Sequence, residues 1–146
     1  MKVRICIDKK YKEPEIVICT DRETRRTDYI KNTIEETFNT TLIGYSQQEA
    51  RILSCRDIIR IYAEGDRVAA QCDEGIFFLK EKLYELEEKL DTRRFVRISR
   101  SELVNLHKIE RLDTSLTGTI RIYLQGDVET YVSRRNVSRI KKILGV

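Results

Sequence analysis

The sequence predicts a mostly β protein of the α+β class, with short antiparallel strands interrupted by a few short helices. The clearest evidence is a hairpin near the C-terminus, where Ile120, Ile122 and Leu124 alternate with an arginine and a tyrosine before a Gln-Gly-Asp turn. Similar short apolar runs, separated by turn-forming residues, recur from residue 52 onwards. A chain of 146 residues with 40% hydrophobic content is also long enough to bury one core.

A β-hairpin is predicted at the N-terminus. Residues 2–8 alternate apolar and polar side chains, which is the pattern of a half-buried strand. Residues 15–19 form a second run rich in β-branched side chains, and the polar stretch 9–13 between the two runs is typical of a turn. Together these three segments predict two paired strands.

An amphipathic helix is predicted next, followed by a domain boundary. Thr20 and Glu23 have the spacing of a capping box, and apolar residues follow them at helical intervals. The polar segment 44–48 then has the composition of a connection. We therefore expect residues 1–45 to form an extension that contributes to dimer contacts, and residues 46–146 to form the main domain.

The main domain is predicted to contain successive antiparallel strands around a short helix and a second helix at its end. The first helix, at residues 80–90, is indicated by Leu79, Leu83, Leu86 and Leu90, which follow one another at intervals of four, three and four. Ser133 is placed to cap the last helix, where Val137, Ile140 and Leu144 share one face among basic residues. The predicted strands span residues 57–63, 67–72, 76–79, 95–99, 109–113, 119–124 and 128–132.

Positive charge is concentrated at the C-terminal end of the chain. Residues 93–146 contain 12 lysines and arginines against 5 acidic residues, a net charge of +7, whereas residues 1–92 carry −3. Such an asymmetry is expected when the partner is a polyanion such as nucleic acid. The alternative is a basic face that is merely solvated.

Other classes of function find little support in the sequence. The single histidine, His107, has no catalytic motif around it, so we expect neither an enzyme nor a cofactor. Cys6, Cys19, Cys55 and Cys72 lack the paired spacing of a metal site and are predicted to be small buried apolar residues. No apolar run approaches the length of a membrane span, so we expect a soluble cytoplasmic protein without membrane insertion.

Arginines occur where predicted strands meet turns. Arg67 flanks a Gly-Asp turn, Arg97 and Arg100 bracket the end of one strand, and Arg134 and Arg135 follow the last strand. The planar guanidinium can bind guanine or phosphate with two hydrogen bonds, and a braced loop loses little entropy on binding. The alternative for each arginine is a solvated side chain or a weak surface ion pair.

Four ordered motifs resemble those of the LytTR-type DNA-binding domain. The segment FVRISRSELVN at residues 95–105 is similar to the F-x-R-x-H-R-S and V-N signature of that family. The hairpin at residues 57–68 and the leucine-rich helix at residues 79–90 resemble the family's upstream elements. Residues 122–126 and 132–136 resemble its strand-N-G and V-S-R-R elements.

The resemblance covers roughly residues 50–145 and implies an elongated arrangement of small antiparallel β-sheets with short helices. In that family DNA is read by loops that enter successive major grooves from one face. By this resemblance Arg100 and Arg135 contact bases, while Arg97, Lys108 and Arg134 contact phosphates. The residues that it places at DNA are Asp66, Arg67, Arg97, Ser99, Arg100, Ser101, Lys108, Arg134, Arg135 and Asn136.

Three positions depart from the family pattern. Ser99 replaces the usual histidine, Glu102 replaces an aromatic or aliphatic residue, and Asn136 stands where tyrosine is common. The operator sequence therefore cannot be transferred from the family. Asn105, at the V-N position, is expected to bond to the backbone.

The sequence thus predicts a DNA-binding transcriptional regulator that recognises promoter direct repeats in double-stranded DNA as a homodimer. The stretch preceding the domain, about 45 residues, is too short for a phosphoacceptor receiver, so phosphorelay control is not expected. One alternative is a protein-interaction module whose N-terminal part sequesters a partner regulator or a membrane-embedded inhibitor. RNA binding is a third and weaker alternative, because few aromatic residues are placed in the stacking arrays that recognition of single-stranded RNA favours.

Overall fold

The structure, a computed structural model, describes residues 2–11, 15–39 and 41–146. For residues 36–39 it describes the backbone alone. Within these ranges no helix has both the length and the apolar character needed to cross a membrane.

The N-terminal helix, α1, spans Arg25–Asn39, which confirms a helix in this part of the chain. It begins later than the predicted capping box of Thr20 and Glu23. Thr24 and Thr27 instead form reciprocal bonds, because the Thr24 N–H donates to Thr27 Oγ1 at 2.8 Å and the Thr27 N–H donates to Thr24 Oγ1 at 3.2 Å. These bonds satisfy backbone donors that the first turn leaves unpaired.

The predicted N-terminal hairpin is not formed. Residues 2–8 and 15–19 contain no strand, and the turn between them lies partly outside the described residues. The side chains of Val3, Ile5 and Ile7 are 85–92% exposed. Two short strands without an apolar surface to cover them are marginal in water, so alternation alone does not make this segment a hairpin.

The boundary between compact units also differs from the one expected at residue 45. Contacts divide the chain into Met1–Glu35 and Glu36–Val146. The predicted connection, residues 44–48, holds the end of strand β1 (Thr41–Ser46) and the turn to strand β2 (Glu49–Ser54), and these two strands pair with each other. They belong to the main sheet, so the larger unit begins before them.

Gly44 explains why this region looked like a connection. A Cβ atom at this position would lie 2.6 Å from Leu53 Cδ1 and 2.7 Å from Phe77 Cβ, both far inside van der Waals contact. The glycine therefore permits close packing within a strand and does not mark a turn. Leu42, two residues earlier in the same strand, is 1% exposed, so this part of β1 belongs to the core.

The strands from residue 41 onwards form two antiparallel sheets. Besides β1 and β2, the strands are β3 (Ile58–Glu64), β4 (Arg67–Cys72), β5 (Gly75–Leu79), β6 (Phe95–Ser99), β7 (Glu102–Asn105), β8 (Ile109–Asp113), β9 (Arg121–Leu124) and β10 (Val128–Tyr131). A seven-stranded sheet has the order β2-β1-β5-β4-β3-β7-β6, and a three-stranded sheet has the order β10-β9-β8. The seven predicted strands are confirmed within two residues at each end, whereas β1, β2 and β7 were not predicted.

The two predicted helices of this unit are confirmed with shorter bounds. Helix α2 spans Leu83–Lys89, and helix α3 spans Val137–Leu144 after a 3₁₀ turn at Arg134–Asn136. The Ser133 side chain makes no capping bond, contrary to expectation. The predicted tight turn between β9 and β10 is confirmed, with Gly126 at φ +76°.

Two apolar cores cover opposite faces of the large sheet. The first lies between β1 to β7 and α2, and each of its fully buried leucines or isoleucines contributes about 1.5–3 kcal/mol. Its members include Leu42, Leu53, Ile58, Ile61, Phe77, Leu83, Leu86, Leu90 and Leu103. The second lies against the small sheet and α3, and its members include Ile59, Val96, Ile98, Val104, Ile120, Ile122, Leu124, Val132 and Ile140.

The four cysteines are free and fall into two classes. Cys55 and Cys72 are buried in the first core, as predicted, and burial raises the pKa of each thiol from 9.0 to about 11. Cys6 and Cys19 are exposed, so the prediction that they are buried is wrong. The reason is the same as for the hairpin, since no described strand places them in a core.

We expect the cysteines to react with an alkylating reagent in two stages at pH 8. Only the thiolate reacts, and a pKa raised by two units reduces its fraction about a hundredfold, so Cys55 and Cys72 should remain after Cys6 and Cys19 are consumed. Mass spectrometry of a time course would measure this. In denaturant all four should react alike, and equal rates in the folded protein would contradict the structure.

Candidate nucleic-acid interface

Two of the predicted DNA-reading turns lie side by side at one edge of the large sheet. Strands β3 and β7 are antiparallel neighbours with Tyr62 opposite Glu102, and the Ala63 N–H donates to the Ser101 carbonyl at 2.8 Å. The β3–β4 turn, with Gly65 at φ +62°, therefore adjoins the β6–β7 turn. Strand pairing fixes the positions of both turns.

The third predicted segment lies along the edge strand β6. The Ser133 N–H donates to the Ile98 carbonyl at 2.9 Å, and Asn136 Nδ2 donates to the same carbonyl at 3.3 Å. Arg139 donates to the Arg97 carbonyl. These bonds bring the basic segment next to the β6–β7 turn, so the three segments that are distant in sequence converge.

Three arginines in these segments project into solvent. Arg100, Arg134 and Arg135 are exposed, and none of their side chains has a hydrogen-bond or ion-pair partner among the residues that the structure describes. Their guanidinium donors are therefore available to a ligand. Arg67 is also exposed, but its guanidinium lies 3.7 Å from the ring centroid of Phe78, which holds the side chain over the sheet.

Arg97 points its guanidinium into the β6–β7 turn. Nε donates to the Ser99 carbonyl at 2.6 Å, Nη2 donates to the Arg100 carbonyl, and Nη1 forms an ion pair with Glu87 of α2 at 2.9 Å. All three nitrogens are thus engaged within the protein. This geometry favours a role in shaping the turn over the phosphate contact expected from the sequence.

Two other polar residues of the site, Ser99 and Asn136, form local bonds within the turn and the loop that carry them. The Ser101 N–H donates to Ser99 Oγ at 3.2 Å, while the side chains of Ser101 and Asp66 are exposed. Asn136 Nδ2 donates to Ser133 Oγ at 2.6 Å, so this amide is largely committed to its own loop. The turn and the loop are therefore held by short local bonds.

Lys108 is not brought together with the other predicted residues. It follows β7 at the end opposite the β6–β7 turn, and its Nζ donates to Gln125 at 3.1 Å. Asn105, at the same end of β7, is fully buried, where its Nδ2 donates to the Ile58 carbonyl at 2.8 Å and its Oδ1 accepts from the His107 N–H at 3.0 Å. The expected backbone-bonding role of Asn105 is confirmed.

Two residues that support the site were not predicted. Arg139 also donates to Asn136 Oδ1 at 3.2 Å, and their separation of three helical positions was a usable signal. Glu87 lies on α2, ten residues before Arg97, and nothing in the sequence connects it with the turn. Its contribution depends on the packing of α2 against the sheet.

Known proteins resemble this chain in sequence and in fold. The family model of the LytTr DNA-binding domain matches residues 48–145. Two relatives from Staphylococcus aureus, strains MSSA476 and MW2, are each 35% identical over 100% of this chain and 99% of their own length. Both are named uncharacterized HTH-type transcriptional regulators.

A solved structure supports the fold. The LytTr DNA-binding domain of a putative methyl-accepting/DNA response regulator from Bacillus cereus matches with a TM-score of 0.71, at 19% identity, over 74% of this chain and 99% of that chain. Although the Staphylococcus relatives are named HTH-type, no two α-helices are consecutive in the described part of this chain, since strands separate α1, α2 and α3. A helix-turn-helix is therefore not what presents the arginines.

The opposite orientations of Arg97 and Arg100 predict different effects on stability. Arg97→Met should lower the free energy of unfolding by about 1–3 kcal/mol, because it removes charge-assisted bonds that hold the turn. Arg100→Met, three residues away, should change it by less than about 0.5 kcal/mol. Urea unfolding of both variants measures the difference, and equal effects would contradict the assignment.

Proposed function

Because the chain belongs to the LytTR family of DNA-binding domains, we propose that it is a non-enzymatic regulator of transcription that reads double-stranded DNA in the major groove. The observation that carries the proposal is the convergence of three loops in which Arg100 and Arg135 are exposed and without partners among the described residues. The full-length relatives named as transcriptional regulators support the regulatory role. A protein of this kind acts in the cytoplasm on the bacterial chromosome.

Arg100 and Arg135 are the proposed base contacts. The Arg100 carbonyl accepts from Arg97, and the segment that carries Arg135 is held by bonds of Ser133 and Asn136. Each guanidinium can therefore present two donors to a guanine without much loss of backbone entropy. Arg134, beside Arg135, is the proposed phosphate contact, and Arg67 at the adjacent turn is a second one. Lys108 would contact phosphate only at the far end of the sheet.

We propose that two copies bind a direct-repeat promoter site and that the N-terminal extension contributes to their contact. Val3, Ile5 and Ile7 expose most of their apolar surface, and Ile16 and Val17 are 57% and 67% exposed. A second copy that covers these side chains would gain hydrophobic stabilisation. The same exposure favours the second candidate function, in which this segment captures a partner protein.

Binding to a duplex selected from a random pool tests the base contacts. Arg100→Ala and Arg135→Ala should each weaken specific binding about 5- to 150-fold, since a bidentate contact contributes about 1–3 kcal/mol. Arg134→Ala should weaken specific and non-specific duplexes alike. Arg56→Ala is the matched control, because Arg56 is exposed at the opposite end of β3. Unchanged specific affinity in both base-contact variants would overturn the site.

A salt titration separates DNA binding from the protein-capture alternative. The logarithm of the affinity should fall with the logarithm of salt concentration, with a slope of about −0.9 for each phosphate contacted. Arg134→Ala should make this slope shallower by about 1. Fluorescence anisotropy of labelled duplex measures both slopes, and a flat response would favour the protein-interaction module.

A further inference from the structure

A buried carboxylate joins the two sheets. Glu102 on β7 is 8% exposed. Its Oε1 accepts from Arg60 Nη1 at 3.1 Å, and its Oε2 accepts from Thr130 Oγ1 at 2.5 Å. Arg60 on β3 is itself held by Gln71 on β4, whose Oε1 accepts from Arg60 Nε at 2.8 Å. The carboxylate therefore has one oxygen bonded within the large sheet and the other bonded to the small sheet.

An acidic side chain is not required for packing at this position. Glu102 stands where LytTR-type domains usually carry an aromatic or aliphatic residue, which would fill the space without desolvating a charge. The apolar contacts of the second core are non-directional, and they stabilise the approach of the sheets without selecting one angle. Hydrogen bonds depend steeply on distance and angle, so the carboxylate adds a directional constraint.

This constraint lies at the base of both arginine-bearing loops. Glu102 follows Ser101 directly, at the point where β7 leaves the turn that carries Arg100. Thr130 lies on β10, which leads within a few residues into the segment that carries Arg135. The bond between them therefore connects the loop of one sheet with the loop of the other.

We propose that Glu102 and Thr130 are positioning residues that set the separation of Arg100 and Arg135, and through it the spacing between the base pairs that the protein recognises. The inference rests on the proposed function, since a spacing has meaning only if both arginines read DNA. Neither residue touches the nucleic acid. Their effect reaches the DNA through the relative placement of the two sheets.

Tolerance to altered operator spacing tests this role. The base pairs read by the two arginines are first located as positions where Arg100→Ala or Arg135→Ala loses discrimination. One base pair is then inserted between them. The unsubstituted chain should bind the inserted duplex about tenfold more weakly, because one base contact is lost.

Thr130→Val removes the bond between Thr130 and Glu102 and keeps the side-chain shape. It should lower affinity for the selected duplex and reduce the insertion penalty to about threefold or less, because a loosened angle accommodates both spacings about equally. Affinity for a non-specific duplex should not change. Thr130→Ser keeps the hydroxyl and is the matched control, so it should retain the native penalty.

Glu102 offers a second, independent pair of variants. In Glu102→Gln the amide oxygen still accepts from Arg60 and the amide nitrogen donates to Thr130, so the insertion penalty should remain native. Glu102→Leu fills the site with the type of residue common in related domains and loses both bonds, so its penalty should fall as in Thr130→Val. A thermal melt of each variant confirms that it is folded.

The possible outcomes separate the two proposals. If Thr130→Val and Glu102→Leu keep both the native affinity and the native insertion penalty, the positioning role is overturned while DNA reading stands. If these variants lose specific and non-specific binding in parallel with their melting temperature, the network is only structural and the inference is likewise overturned. If the native chain selects no duplex at all, both the proposed function and this inference are overturned.

Discussion

Strands β3 and β7 lie between the two cores, so each must bury side chains on both of its faces. Ile61 and Leu103 pack into the first core, while Ile59 and Val104 pack into the second. A shift of one residue in their pairing would exchange the side chains of the two cores, and this strongly disfavours any other register. The turns at one end of this pair carry the proposed DNA contacts Arg67 and Arg100, so their positions follow from the burial of β3 and β7 on both faces.

The sequence predicted those strands whose patterns are local. The β9–β10 hairpin has clear alternation and a glycine turn, and it forms as expected. Strand β7 was missed because all four of its residues are buried, which removes the alternation, and because Glu102 and Asn105 are polar. The hairpin expected at residues 2–8 and 15–19 shows the opposite case. Its sequence alternates, but its apolar side chains remain exposed and no strand forms in these described residues.

For the site, the sequence indicated which segments matter but not the direction in which each side chain acts. Arg97 and Arg100 belong to one motif, yet one closes its own turn and the other projects into solvent. The difference depends on carbonyl groups that approach only after the turn has formed. Lys108 illustrates the same limit, because its motif gives no information on which end of β7 it would occupy. The family resemblance predicted which three loops contact DNA, and the structure shows which of their side chains are already bonded within the protein.

The bonds that shape the loops around Arg100 and Arg135 end mainly on carbonyl oxygens of the main chain. Arg97 donates to the carbonyls of residues 99 and 100, and Arg139 donates to that of residue 97. Every amino acid supplies the same carbonyl, so Ser99 or Arg100 can be exchanged in evolution without loss of these bonds. The shape of each loop therefore depends little on which side chains stand at its exposed positions. A single substitution at an exposed loop position would therefore alter the surface offered to a ligand and leave these carbonyl bonds in place.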